Sequence, residues 1–425
     1  MWAQELIILL NELHPDDALV KLYAGSVFSS AGNHQGLQII NSEYQDINVF
    51  EKIFEQFRND YLTIPAAPEM KFFSAQKEAY DHLTDPCFSY SGPTSMGKSF
   101  IMRMFIKDEI LHGAKKNYAL IVPTKALINE VRSKIINDLE DNLKRCNYRV
   151  VTAASDIALE ENHNFIFVLT PERLLYLLIS NPSLEDLFVD EAHKLSGKNS
   201  RGLFYYKVVD MLLQKEKKPH FIFASPNIPN PQVYLRLMNE AIESSDESKL
   251  ATTYSPVVQI KFLMDLINNN ISVYNERTNH RIQIVSIKKS DVTLNDMLLL
   301  FEGKNLRLPP EKRSQTIVYY NGRAKAIAAA RSFAESRGIL DKNDPELDSL
   351  SKDIMQEVHG DYYLASMIKK GVAYHIAYHI GYLPASIRTR IEDLFQKGNI
   401  TIMFCTSTLL EGVNLPADNL FYYGQ

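Results

Sequence analysis

Residues Ser91–Ser99, with the sequence S-G-P-T-S-M-G-K-S, suggest the fold of this chain. The stretch has the spacing G-x-x-x-x-G-K-[ST], in which glycines let backbone N–H groups turn toward phosphate oxygens. Phe88–Tyr90 before it predicts the end of a strand, and the apolar run Phe100–Phe105 after it predicts the start of a helix. A phosphate-binding loop has this setting of strand, loop and helix. The stretch therefore predicts a nucleoside triphosphate site.

Individual residues of this loop have separate expected roles. Lys98 would reach the β- and γ-phosphates, and the Ser99 hydroxyl would ligate Mg²⁺. The alternative, a glycine-rich turn with an unrelated lysine, is disfavoured by the strand and helix on either side. The predicted phosphate-binding residues are Gly92, Pro93, Thr94, Ser95, Met96, Gly97, Lys98 and Ser99.

Composition limits the class of protein. A chain of 425 residues is too long for one compact core, so two or three domains are expected. The 46 basic and 51 acidic residues give a net charge of −5, so any nucleic-acid-binding surface must be local. Cys87, Cys146 and Cys405 lie far apart, which favours a reducing compartment and disfavours structural zinc.

The apolar run Leu6–Leu10 is short and lies between glutamates, which predicts a helix face rather than a signal peptide or membrane span. We expect a cytoplasmic protein.

From Met70 onward, short apolar runs alternate with helical patterns. Such runs are typical of strands buried on both faces of a parallel sheet. Ligands bind at the carboxyl ends of the strands in sheets of this kind. We predict an α/β fold with doubly wound parallel sheets after a helical N-terminal region, and strands at residues 88–90, 117–122, 149–153, 165–169, 186–190 and 220–224.

An acidic pair follows one of these strands. Asp190 and Glu191 come directly after Leu187–Val189 and belong to the sequence D-E-A-H. Asp190 would hold Mg²⁺, and Glu191 would orient and deprotonate the attacking water. The alternative is a solvated acidic turn, which the upstream phosphate loop makes less favourable. The predicted catalytic residues are Lys98, Asp190 and Glu191.

These two segments resemble motifs I and II of the DEAD/DEAH-box helicases of superfamily two. Other segments resemble further motifs of that family in the same order. Phe73–Gln76 resembles the adenine-contacting Q motif, Pro123–Leu127 motif Ia, and Thr170–Arg173 motif Ib. Ser225–Asn230 stands where the family has S-A-T followed by I-P-N.

The second half of the chain resembles one branch of that superfamily. Gly371–His375, Arg388–Phe395 and Cys405–Ala417 resemble motifs IVa and V of the superkiller RNA helicases and the archaeal DNA-repair helicases. The sequence G-V-N-L-P-A in the last of these is characteristic of the branch. Among bacterial proteins, the chain resembles anti-phage helicases such as the Hachiman-type helicase subunit.

The resemblance implies an organisation and a set of ligands. It implies two RecA-like domains, at residues 65–242 and 243–425, after an N-terminal accessory helical region at residues 1–64. The two domains would close over ATP and Mg²⁺, with Mg²⁺ held by Ser99 and Asp190. Gln76 would contact adenine, and Gly412 and Asn414 of motif V would also contact the nucleotide. The expected nucleic-acid contacts are Thr124, Lys125, Thr170, Arg173, Arg323, Arg388 and Thr406.

The chain also departs from the family pattern. Pro226-Asn227 replaces the A-T of motif III, which couples hydrolysis to strand movement in relatives. No Q-x-x-G-R-x-G-R segment occurs before Gln425, and in the family that segment supplies an arginine finger. Such a finger contributes about 10³–10⁵ in rate. We therefore expect a partial chain with impaired ATP hydrolysis on its own.

Three functions remain in competition at this point. The first is an ATP-dependent DNA or RNA helicase or translocase with 3′→5′ polarity, in anti-phage defence or DNA repair. The second is an ATP-gated nucleic-acid-binding subunit that controls a partner nuclease without processive unwinding. The third is a phosphate-loop enzyme acting on a small molecule, which G-V-N-L-P-A and T-P-E-R disfavour. DNA and RNA cannot be told apart from phosphate contacts alone.

Overall fold

The computed structural model describes residues 2–33, 36–37, 49–153, 162–196, 202–226, 228–235, 247–252, 261–265, 268, 270–275, 280–286, 293–340, 344–358, 363–406, 409 and 415–423. The chain divides into two compact units, Met1–Gln259 and Ile260–Gln425. The domain boundaries predicted at residues 64/65 and 242/243 stay a prediction. Within the described ranges, every helix is too short or too polar to cross a lipid bilayer.

Helices open the first unit, in agreement with the predicted helical N-terminal region. Asp17 caps the second helix because its carboxylate accepts the Leu19 N–H at 2.8 Å, and Gly32 ends that helix with φ +68°. A small apolar core joins the first two helices and contains Ile7, Val20, Ala24 and Phe28. The helices are α1 (Trp2–Leu13), α2 (Ala18–Ala31) and α3 (Val49–Leu62).

Several large apolar side chains on α1 and α3 are exposed. Leu6 and Leu13 on α1 are 59% and 70% exposed, and Phe57 on α3 is 73% exposed. The helical N-terminal region predicted from the sequence is therefore present, and within the described residues these side chains face solvent.

A seven-stranded sheet forms the centre of the first unit. A short antiparallel hairpin, β1 (Thr63–Ile64) with β2 (Ala67–Lys71), precedes it. All strand pairs of the sheet are parallel, in the order β5-β6-β4-β7-β8-β3-β9. The carboxyl ends of the strands consequently meet at one edge. The strands are β3 (Cys87–Gly92), β4 (Tyr118–Ile121), β5 (Tyr148–Val151), β6 (Asn164–Leu169), β7 (Asp186–Val189), β8 (His220–Pro226) and β9 (Glu247–Ala251).

Helices cover both faces of this sheet. Phe88 lies in one apolar cluster and Cys87 in the other, because successive side chains of a strand point to opposite faces. Both clusters are fully buried, which explains the near-continuous apolar runs in the sequence. The helices are α4 (Ser74–Asp81), α5 (Lys98–Leu111), α6 (Lys125–Leu139), α7 (Asn142–Arg145), α8 (Pro171–Leu178) and α9 (Gly202–Leu213).

Strand β9 differs from the sequence-based expectation. Glu247 and Ser248 belong to a polar run that predicts a flexible linker, yet they begin β9. The strand pairs with β3 from Cys87↔Glu247 to Ser91↔Ala251. An edge position explains the difference, because an edge strand requires hydrogen bonds on one side and tolerates polar side chains.

The second unit contains two sheets. The first is antiparallel, with strands β10 (Lys261–Asp265), β11 (Asn270–Asn275) and β12 (His280–Ser286) in chain order. The second is parallel, in the order β14-β15-β13-β16, with strands β13 (Thr316–Tyr320), β14 (Ile376–His379), β15 (Ile402–Cys405) and β16 (Asn419–Tyr423). The helices are α10 (Leu294–Asn305), α11 (Arg323–Arg337), α12 (Pro345–Glu357), α13 (Tyr363–Lys369) and α14 (Ala385–Gln396). The predicted α/β class with parallel sheets and N-terminal helices is confirmed.

A buried arginine joins several of these elements. Arg337, at the end of α11, donates to the Glu302 carboxylate of α10 at 2.6 Å. The same guanidinium donates to the carbonyl oxygens of Val372 at 2.6 Å and Tyr374 at 2.5 Å, directly before β14. Three charge-assisted hydrogen bonds from one guanidinium hold these elements in a defined geometry.

Candidate functional site

The predicted phosphate loop lies between β3 and α5. Gly92 ends β3, and Gly97 takes φ +78°, a conformation that side chains with a Cβ rarely adopt. A Cβ at Gly92 would lie 2.4 Å from the Met96 sulfur, and one at Gly97 would lie 2.9 Å from the Gln76 amide nitrogen. The positive φ therefore requires glycine at position 97, whereas a side chain at position 92 would require the Met96 side chain to move. Pro93 is half-buried, Thr94 is exposed, and Ser95 belongs to the 3₁₀ turn Thr94–Met96.

Lys98 is held inside the loop. It is the first residue of α5 and is buried, and its ammonium donates to the carbonyl oxygens of Gly92 at 3.1 Å and Pro93 at 3.0 Å. Burial lowers the pKa of Lys98, and the negative charges of Asp190 and Glu191 oppose that change. The ammonium is thus placed at the loop that is predicted to bind phosphates.

The acidic pair lies against this loop. Asp190 follows β7, and its carboxylate accepts the Ser99 hydroxyl at 2.5 Å and the Glu191 N–H at 3.0 Å. Glu191 takes φ +56°, and its carboxylate lies 3.1 Å from Nδ1 of His193. Two segments separated by about ninety positions in the sequence therefore meet, as the motif assignment requires.

Burial affects the charges of the acidic pair. It raises the pKa of Asp190, against the Ser99 hydrogen bond and the Lys98 charge, which lower it. It also raises the pKa of Glu191, and the neighbouring Asp190 carboxylate adds to this. Burial lowers the pKa of His193, which keeps the imidazole neutral near pH 7. A carboxylate with a raised pKa is suited to accept a proton from water.

The donor set at this site suits Mg²⁺ with a nucleotide. A hydroxyl and a carboxylate are hard oxygen ligands, and Mg²⁺ on phosphates takes few protein ligands and keeps several waters. Within the described residues, no group of three or more His, Cys, Asp or Glu side chains is arranged to hold a metal ion by itself. Ser99 and Asp190 are the residues that would hold Mg²⁺ here.

Gln76 supports the loop from behind. Its amide nitrogen donates to the Met96 carbonyl at 2.8 Å, and its amide oxygen accepts the Phe73 N–H at 2.9 Å. The side chain is buried. In this structure both ends of the amide bind protein backbone, and the adenine contact of Gln76 stays a prediction.

Four predicted nucleic-acid contacts lie in the first unit after β4 and β6, which are neighbours in the sheet. Thr124 caps α6, and its hydroxyl accepts the Leu127 N–H at 3.3 Å, while Lys125 beside it is exposed. Thr170 is buried, and Arg173 donates to the Thr152 carbonyl at 2.6 Å. These residues share the carboxyl edge of the sheet with Asp190, which follows β7 on the other side of β4.

The second unit places three more predicted contacts at the carboxyl edge of its parallel sheet or on α14. Arg323 is exposed at the start of α11, Arg388 is half-buried on α14, and Thr406 is buried after β15. Gly412 and Asn414, predicted to contact nucleotide, lie outside the described residues.

Two residues near the site, Ser91 and Tyr234, have interactions that the sequence motifs do not predict. The Ser91 hydroxyl accepts the Ile228 N–H at 2.6 Å, which joins β3 to the segment after β8. Burial raises the pKa of Tyr234 to about 12, with Glu191 adding to the change and a hydrogen bond to Ser225 opposing it. A polar residue inside an apolar strand is the signal that would have indicated Ser91.

His375 and His379 have a spacing that also occurs in zinc sites. The sequence has no third ligand near them and favours a role in the core. Both are buried. Nδ1 of His375 lies 2.5 Å from the Asn399 carbonyl, and Nε2 of His379 lies 2.7 Å from the Glu392 carboxylate. Burial lowers the pKa of His375 to about 4. These contacts agree with a core role.

Comparison with known proteins gives one family match and several distant relatives. Residues 73–233 match the family model described as DEAD/DEAH box helicase. The chain is 23% identical over 424 residues to the Hachiman protein HamB of Bacillus cereus, covering 89% of this chain and 36% of that protein. It is 25% identical over 345 residues to the ATP-dependent DNA helicase Hel308 of Methanococcus vannielii, covering 76% of this chain and 41% of that protein.

Two further similarities extend the comparison. The anti-bacteriophage protein B of Escherichia coli is 25% identical over 385 residues, covering 89% of this chain and 45% of that protein. The crystal structure of the DUF1998 helicase MrfA bound to DNA aligns with a TM-score of 0.50 at 17% identity, covering 80% of this chain and 40% of that one. This last similarity concerns the fold alone. The chain spans less than half the length of each of these proteins.

Proposed function

We propose that this chain, whose residues 73–233 match the DEAD/DEAH box helicase family model, provides the motor of an ATP-dependent nucleic-acid helicase or translocase. The observation that carries the proposal is the 2.5 Å hydrogen bond between Ser99 of the phosphate loop and Asp190 of the D-E-A-H segment. It brings together the two motifs on which nucleotide hydrolysis depends in the family.

Residues of the first unit have separate roles in hydrolysis. The ammonium of Lys98 binds the β- and γ-phosphates of ATP, and the glycine-rich backbone supplies N–H donors. Ser99 and Asp190 hold Mg²⁺, which when bound neutralises charge on the phosphate oxygens. Glu191 orients the attacking water and accepts its proton, for which its raised pKa is suited.

Nucleic acid binds, in this proposal, along the carboxyl edges of the parallel sheets. Hydroxyls and cations at strand ends contact phosphates, which fix the strand without reading its sequence. Binding is expected to be tolerant of sequence and strongly dependent on salt. The seven residues proposed for these contacts are Thr124, Lys125, Thr170, Arg173, Arg323, Arg388 and Thr406.

We propose DNA as the substrate, with 3′→5′ polarity and a role in anti-phage defence or repair. The support is similarity to a DNA helicase, to the Hachiman protein HamB and to the anti-bacteriophage protein B. An ATP-gated binding subunit that controls a partner nuclease is the second candidate. This second candidate is favoured by Pro226, which ends β8 where the family has the alanine of S-A-T. In relatives that motif couples hydrolysis to strand movement.

The test measures ATP hydrolysis by the protein with single-stranded DNA and with single-stranded RNA side by side. We expect stimulation by DNA and displacement of a strand from a duplex with a 3′ tail but not a 5′ tail. The matched control is Lys98→Ala, which should show neither activity. Stimulation without displacement would favour the gating subunit, and hydrolysis that ignores nucleic acid would overturn the proposal.

A further inference from the structure

One exposed tyrosine of the second unit has an unusual neighbour. Tyr382 lies between β14 and α14 and is 76% exposed. The guanidinium carbon of Arg323, the first residue of α11, lies 3.8 Å from the centroid of its ring. This is a close cation–π contact, in which a cation sits over the face of an aromatic ring. The guanidinium covers one face of the ring. Because Tyr382 is nevertheless highly exposed, the other face of the ring is open to solvent.

The turn that carries Tyr382 is anchored on both sides. Ile380 and Leu383 are only 4% and 3% exposed and belong to the core of the second unit. The Leu383 N–H donates to the Ile380 carbonyl at 3.2 Å, which closes the turn. The backbone therefore presents the ring outward at a fixed place, which limits the entropy lost when a flat ligand stacks on it.

Arg323 differs from other arginines of the same unit. Arg331, Arg337 and Arg390 each pair with a glutamate. Within the described part of the chain, Arg323 has the Tyr382 ring as a neighbour and no carboxylate in an ion pair. Its N–H groups can therefore donate to an anion from outside, and the guanidinium plane already lies against an aromatic ring.

We infer that Tyr382 and Arg323 form a base-stacking platform for single-stranded nucleic acid. A nucleobase stacks on the open face of the tyrosine ring, and the arginine donates to an adjacent phosphate. Stacking of this kind is sequence-tolerant because every base has a π-face. The inference rests on the proposed function and deepens it, since phosphate contacts alone would not distinguish a strand with bases from one without them.

The experiment compares two oligonucleotides of equal length on the whole protein by fluorescence anisotropy. One is oligo-dT, and the other carries abasic residues throughout, so that its phosphates are kept and its bases are removed. We expect the wild type to bind oligo-dT more tightly than the abasic strand. Tyr382→Ala should weaken binding of oligo-dT by about 5- to 100-fold and leave binding of the abasic strand almost unchanged.

Matched variants separate stacking from other effects. Tyr382→Phe should keep wild-type binding because it keeps the ring, and Tyr206→Ala removes an exposed tyrosine of α9 as a control. Arg323→Ala should weaken binding of both oligonucleotides because it removes a cation. Circular dichroism and the melting temperature check that each variant is folded.

Each outcome has one meaning. If Tyr382→Ala keeps the full preference for oligo-dT, or if the wild type has none, the platform is overturned while the proposed helicase function stands. If the wild type binds neither oligonucleotide nor single-stranded RNA, the proposed function itself fails.

Discussion

Lys98, Asp190 and Glu191 place three ionisable groups in one partly buried site. Burial works against the charged form of each group, the Lys98 ammonium and the two carboxylates attract each other, and the two carboxylates repel each other. Such a site is unfavourable for stability, and clusters of buried ionisable groups with shifted pKa values are typical of sites that carry out chemistry.

Lys98→Ala should reduce ATP hydrolysis by at least about 100-fold, because the loop loses the cation that we propose binds the transferred phosphate. The matched control is Lys107→Ala, which removes a lysine from the same helix, α5, away from the loop. Steady-state phosphate release measures the effect. Hydrolysis at the wild-type rate in Lys98→Ala would refute the assignment of the nucleotide site.

Glu191→Gln should lower hydrolysis by about 10²–10⁴-fold and raise the melting temperature at pH 7 in the absence of nucleotide and Mg²⁺. The pKa of Glu191 is raised in the folded protein, so its ionisation costs stability as pH rises through that pKa. The gain should be roughly 1–4 °C and should shrink on acidification, when both proteins are neutral at this position.

The control for this prediction is Glu69→Gln, at an exposed position on β2. It should change neither hydrolysis nor the melting temperature. A melting temperature of Glu191→Gln below that of the wild type at pH 7 would contradict the charge balance argued here. Thermal melts from pH 5 to pH 8 decide between the two results.

At the scale of the element, β3 is tied to the segment that follows β8 by two serine hydroxyls. Ser91 accepts the Ile228 N–H at 2.6 Å, and Ser89 donates to the Pro231 carbonyl at 2.8 Å. Ser91 directly precedes Gly92 of the phosphate loop, whereas Ser89 lies two residues further back. The segment therefore has a direct hydrogen bond to the loop strand although it lacks the family's A-T.

Ser91→Ala should reduce the amount of strand displaced per ATP hydrolysed by about fivefold, the equivalent of one lost hydrogen bond. Ser89→Ala is the matched control, since it removes a hydrogen bond between the same two segments away from the loop. A combined assay of strand displacement and phosphate release measures the ratio. An equal loss in both variants would indicate a general effect on stability.

Sequence patterns predict some elements better than others. Strands of the first sheet that are apolar runs buried on both faces, such as Asn164–Leu169, are predictable from the sequence. The meeting of Ser99 with Asp190 was predictable because both motifs follow parallel strands. Strand β9 was missed because its pairing with β3 depends on a partner far away in the sequence.

Two identical tetrapeptides show why local sequence is insufficient. Ala373–Ile376 and Ala377–Ile380 both have the sequence A-Y-H-I and are buried. The first forms mostly a turn, with His375 at φ +65°, and the second lies mostly in β14. Pairing with β15 begins at Ile376↔Ile402, so the register of the sheet, and not the tetrapeptide, sets the conformation.

At the scale of the whole molecule, the net charge of −5 requires that nucleic acid be bound by local groups. The proposed contacts include four cations, Lys125, Arg173, Arg323 and Arg388. Because each phosphate neutralised on a single strand contributes about −0.7 to the salt slope, log K against log[salt] should fall with a slope of about −3.

Arg323→Ala should make this slope shallower by about 0.7. Arg331→Ala is the matched control, because Arg331 lies on the same helix and pairs with Glu335. Binding titrations at several salt concentrations provide the slopes. A slope near zero in the wild type would contradict phosphate binding by these cations, and equal slopes for Arg323→Ala and the wild type would exclude Arg323 from the contact.

Helix α11 has a consequence that neither of its ends reveals alone. Arg337 at its last turn grips the backbone that enters β14, and Arg323 at its first residue rests on the aromatic ring that follows the same strand. The fifteen residues of this helix extend about 22 Å. The helix therefore contacts the chain both before β14, through Arg337, and after β14, through Arg323. Loss of the buried contacts of Arg337 would allow Arg323 to move relative to the Tyr382 ring. The affinity of the Tyr382 platform for a nucleobase would then depend on the buried ion pair between Arg337 and Glu302, which lies at the other end of α11.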